Sequence, residues 1–69
     1  MTQDHPFELQ RAVGAFSEGR YLVAEAICRR LVESGADQAQ PWFVLGMALT
    51  RQGAHDEAFR CLQRAVQIA

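Results

Sequence analysis

The stretch that decides the fold reads Pro41-Trp42-Phe43-Val44-Leu45-Gly46-Met47-Ala48-Leu49, and its pattern runs on through Gly53 to Ala58, Leu62 and Ala65. Proline is tolerated in a first helical turn, where its missing N–H would be unpaired anyway, so Pro41 sits where a helix can begin. Trp42, Leu45 and Leu49 follow at intervals of three and four, which puts them on one helical face. Gly53 then supplies the chain reversal that a second helix needs in order to fold back.

The same punctuation recurs outward from this segment. Gly19 and Gly35 divide the upstream sequence, and Pro6 marks another possible helix start. Four helices are predicted: about Pro6–Glu18, Arg20–Ser34, Gln38–Gln52 and His55–Ile68. In the second, Leu22, Val23, Ala24, Ala26, Ile27 and Leu31 give a helical stripe. The fourth repeats it with Ala58, Phe59, Leu62, Ala65, Val66 and Ile68. Nothing reads as a strand. Connections of two to five residues force antiparallel neighbours. The expected fold is therefore all-α, with two antiparallel helix-turn-helix hairpins in a single domain spanning residues 1–69.

An offset of 34 residues superposes the two halves. It aligns Gly19 with Gly53, Ala24 with Ala58, Arg30 with Arg64 and Val32 with Val66, and it sets Ala12 on Gly46, Val13 on Met47 and Leu9 on Phe43. The second unit, Trp42-x-x-Leu45-Gly46-x-x-Leu49 followed by Ala58, Leu62 and Ala65, resembles the tetratricopeptide repeat, whose pattern is W-x₂-L-G-x₂-Y, then A-x₃-F and a terminal proline. Leu49 stands for the usual tyrosine and Leu62 for the usual phenylalanine. Ser34 to Trp42 looks like the connector between two such repeats. Gly46 and Ala58 are small so that paired helices can approach. Trp42, Leu45 and Leu49 supply the large apolar surface, each contributing roughly 1.5–3 kcal/mol when fully buried. The first unit departs from the pattern: Glu8 replaces the tryptophan, Arg11 the leucine and Ala15 the tyrosine. Terminal repeats with a polar outer face cap such stacks, which is the role expected of Glu8 and Arg11. The resemblance implies a first repeat over about 6–37, a second over about 38–69, and a short right-handed superhelical segment.

It also implies where a partner sits. In this family the first helix of each hairpin lines a concave groove, and the matching positions are Leu9, Val13, Phe16, Phe43, Met47, Thr50 and Arg51. Such a surface suits an amphipathic helix or an extended apolar segment. The same residues can equally be core that packs against further repeats or a second copy, and both readings stay open at this point. Chaperone-adaptor members of the family grip a terminal carboxylate with lysines and asparagines. Here those places hold Leu9, Val13, Phe43 and Met47, and the chain has neither lysine nor asparagine, so that mode is not expected.

Composition narrows the remaining classes. Sixty-nine residues make a small domain, which buries only about 60% of its unfolded surface. A net charge of −1 speaks against a nucleic-acid surface or a polybasic membrane anchor. All seven basic residues are arginine, a bias of GC-rich genomes that points to a bacterial source. Met1 to Glu8 has no signal-peptide character, and no apolar run spans a bilayer. A cytoplasmic location is expected by default.

No catalytic constellation stands out. Cys28 and Cys61 are isolated, whereas structural zinc wants closely paired ligands, so they read as small core hydrophobes rather than a metal or redox pair with His5 or His55. His55-Asp56-Glu57 reads as helix capping at the start of the fourth helix, where acidic residues complement the dipole. Arg29, Arg30, Arg60 and Arg64 form a basic strip, with Glu25 and Glu57 in reach at i,i+4 and i,i+3. The leading expectation is a non-enzymatic protein–protein interaction module without cofactor or metal. Two alternatives stand beside it. One is the N-terminal docking region of a larger bacterial enzyme, similar to some glycosyltransferases and sulfotransferases. The other is a self-associating structural unit in which the fourth helix meets a neighbouring copy.

Overall fold

The computed structural model describes residues 5–35 and 38–69. Met1 to Asp4, and Ala36 and Asp37 of the expected connector, lie outside the described residues. Four helices follow one another, α1 (His5–Ser17), α2 (Tyr21–Glu33), α3 (Ala39–Arg51) and α4 (His55–Ile68), each ending within a residue or so of its predicted bounds. The described residues contain no strand. α1 pairs with α2 and α3 with α4; α2 joins the hairpins by packing on α3, and α1 touches α3 over a shorter stretch.

Both hairpin turns are built the same way. Gly19 and Gly53 take φ of 82° and 86°, the left-handed conformation that disfavours any side chain. Arg20 N–H reaches back to Ala15 C=O at 2.8 Å and Gly19 N–H to Phe16 C=O at 3.0 Å. Thirty-four residues on, Ala54 N–H meets Leu49 C=O at 2.9 Å and Gly53 N–H meets Thr50 C=O at 3.0 Å. This is the Schellman closure, which satisfies carbonyls that the helix end would otherwise leave free. Arg20 and Ala54 then start the next helix at once, accepting from Ala24 N–H and Ala58 N–H.

The core is made of large side chains from one partner and small ones from the other. Leu45 is 1% exposed, Leu49, Ile27 and Leu31 are buried, and Ala12, Cys28, Ala58 and Cys61 fill the space between them. A second cluster brings Ala15, Ala24 and Ala48 together from three helices. Trp42 is half-buried against the main cluster rather than enclosed by it. At Gly46 the approach is so close that a Cβ would lie 2.7 Å from Leu62 Cγ and 3.2 Å from the Ala58 carbonyl oxygen.

The buried faces of α2 and α4 are narrower than the apolar stripes read from sequence. Leu22 is 72% exposed, and Val23 and Ala26 are exposed with it, leaving Ala24, Ile27, Cys28 and Leu31 as the inward face. On α4, Phe59 and Val66 are 62% and 76% exposed, while Ala58, Cys61 and Ala65 face inward. The reason is geometric. The molecule is only 16 Å thin in its shortest dimension, so a helix is covered on one side, and the side with small residues is the one that admits a neighbour.

Two substitutions test this packing. Gly46→Ala gains roughly 1 kcal/mol of helix propensity but overpacks the crossing at a cost of about 1–3 kcal/mol. It is expected to lower the melting temperature in the wild-type background and to lose most of that effect beside Leu62→Ala, a coupling of about 1 kcal/mol or more. Additive melting shifts would contradict the crossing. Ile27→Ala is expected to cost about 2–5 kcal/mol and Leu22→Ala within about 0.5 kcal/mol, read by urea denaturation; equal losses would restore the wider stripe.

Candidate interaction surface

α1 and α3 run side by side, and the seven residues expected to line a partner site are spread along them. Leu9 packs against the main core cluster and is half-buried. Val13 is 45% exposed, Phe16 and Met47 are half-buried, and Thr50 and Arg51 are exposed. Thr50 turns its hydroxyl back to donate to Gly46 C=O at 2.9 Å, the local bond that threonine commonly makes within a helix.

Phe16 and Arg51 do meet. The Arg51 guanidinium carbon lies 5.6 Å from the Phe16 ring centroid, a cation–π contact worth about 0.5–1 kcal/mol at an exposed site. Tyr21 also meets Phe16 edge-on, with centroids 5.3 Å apart and ring planes at 60°. Tyr21 was not among the expected site residues. Its place beside the Gly19 turn is visible in the sequence, but its contact with Phe16 is made only when α2 folds back on α1.

Phe43, 51% exposed, looks elsewhere. It opens with Ala39 and Gln40 onto a groove shared with Ala65 and Val66 of α4 and with Ala69 just beyond it. The expected line of residues is therefore divided between an aromatic–arginine cluster near the C-terminal ends of α1 and α3 and an apolar cleft near the start of α3.

A polar network ties the hairpins together. Gln52 donates to Glu25 at 2.8 Å and to Ala48 C=O at 3.2 Å. Arg29 bridges Glu25 and Glu57, each at 2.8 Å. The i,i+4 pair of Glu25 and Arg29 forms as the sequence spacing predicts, but Glu57 departs from its i,i+3 neighbour Arg60 and reaches across from α4 to α2. Arg29 meets Glu25 through Nε and Nη2, and Nη2 also meets Glu57, so one guanidinium is held between two carboxylates. With Arg29 more than a third exposed, solvent screens these pairs, which hold them to at most about 1 kcal/mol each. Glu8 accepts from Arg30 at 3.0 Å and lies 3.9 Å from Arg11. In the first hairpin, ion pairs thus stand where the second has Trp42.

The remaining candidates resolve into structure. Cys28 and Cys61 are free thiols buried in the same core cluster. Burial pushes the Cys28 thiol up to about 11. The Cys61 thiol is raised by burial and then by the Glu57 charge, against the opposing pull of Arg29 and Arg60. Among the described residues, no three His, Cys, Asp or Glu side chains gather as a metal site, and no helix is long and apolar enough to cross a membrane. The expectation that His55-Asp56-Glu57 caps α4 is corrected in its detail. Ala54 is the N-cap and no side chain bonds there, while Asp56 and Glu57 remain in the first turn, where the helix dipole favours them.

The hydrogen bond from Gln52 has the largest effect on the Glu25 carboxyl; burial opposes it, the hydrogen bond and the charge of Arg29 add to it, and the carboxyl stands below its ordinary value. A lowered folded-state value means that the carboxylate stabilises the fold above the ordinary carboxylate range, and that this contribution disappears as pH falls through the lowered value. Glu25→Gln is therefore expected to flatten the acid side of the stability–pH curve, measured by thermal melts from neutral to acid pH. An unchanged acid slope would remove the network from the account.

The family model described as Tetratricopeptide repeat matches residues 39–69. No curated protein and no solved structure matches the chain. The matched segment contains the Gly46–Ala58 crossing, the Gly53 closure and the buried Leu45 and Leu49 described above. Residues 39–69, which comprise α3, its turn and α4, are a tetratricopeptide repeat, a unit whose family generally serves in protein–protein interaction.

Proposed function

We propose that this chain works by binding another protein, and that an amphipathic helix or extended apolar segment of the partner lies along α1 and α3. The observation that carries the reading is Phe43. Its ring stays half in water on a helix whose next two residues, Val44 and Leu45, are buried, and it stands at the mouth of an apolar groove. An aromatic side chain at such a seat anchors a partner by burying a large rigid surface at small entropic cost. Val13, Met47 and Arg51 form in this reading a second contact area, in which Arg51, held over Phe16, offers a cation to an acidic residue of the partner. In this reading the first hairpin is a divergent repeat that extends the surface, and the chemistry is recognition without catalysis.

The test places a photo-crosslinking residue at Phe43 and, as a control, at exposed Leu22. A partner captured from Phe43 alone is then measured for affinity against the wild type and Phe43→Glu. Phe43→Glu is expected to weaken binding by about 2 kcal/mol or more while leaving helicity intact. Undiminished affinity would move the partner off this surface.

A further inference from the structure

We draw no further inference here: the strongest candidate, the apolar outer face of α4 that carries exposed Phe59 and Val66, is a surface patch for which nothing in the structure shows what covers it.

Discussion

Two helices can approach to backbone distance only where the side chains between them nearly vanish, and in this chain that constraint is met at Gly46. Its absent Cβ leaves room for Leu62, and the Ala58 carbonyl lies just beyond. Once α3 and α4 are drawn this close, Leu45 and Leu49 are enclosed between them and the residues of α1 and α2 that share their core cluster. The alanines at 15, 24 and 48 do the same where the two hairpins meet. A small chain cannot surround a large core, and this one instead presses helices together over side chains of minimal volume.

The turns hold that geometry in place. The closures at Gly19 and Gly53 satisfy equivalent carbonyls with nearly the same distances, so both hairpins reverse the chain by the same turn. Between the hairpins the apolar contact is supplemented by the Gln52–Glu25–Arg29–Glu57 chain. Each of its ion pairs is solvent-screened and individually weak, but the chain links three helices, and its geometry is defined only when α2, α3 and α4 are all in place.

Close packing in a layer 16 Å thin has a second consequence: it leaves outward faces apolar. Phe43, Phe59 and Val66 are exposed because nothing in the described chain reaches them, and the sequence keeps large hydrophobic groups there all the same. Contiguous exposed apolar surface of this kind marks contact sites in soluble proteins.

The sequence by itself determined the helices, their ends and their pairing, because glycines at a fixed interval and apolar residues at spacings of three and four are local signals with local causes. It also carried the tetratricopeptide pattern of residues 39–69, whose small residues are required by a crossing only about one side chain wide. Which apolar residues would be buried was not legible. Leu22 and Ile27 read alike along the chain, and only the position of the neighbouring helix separates them. The same is true of the contacts made across helices, where Glu57 takes Arg29 in place of its sequence neighbour Arg60, Tyr21 folds onto Phe16, and Phe43 turns toward α4. Those were decided by tertiary structure, since a side chain's partner depends on which backbone arrives beside it and no spacing within one helix records that.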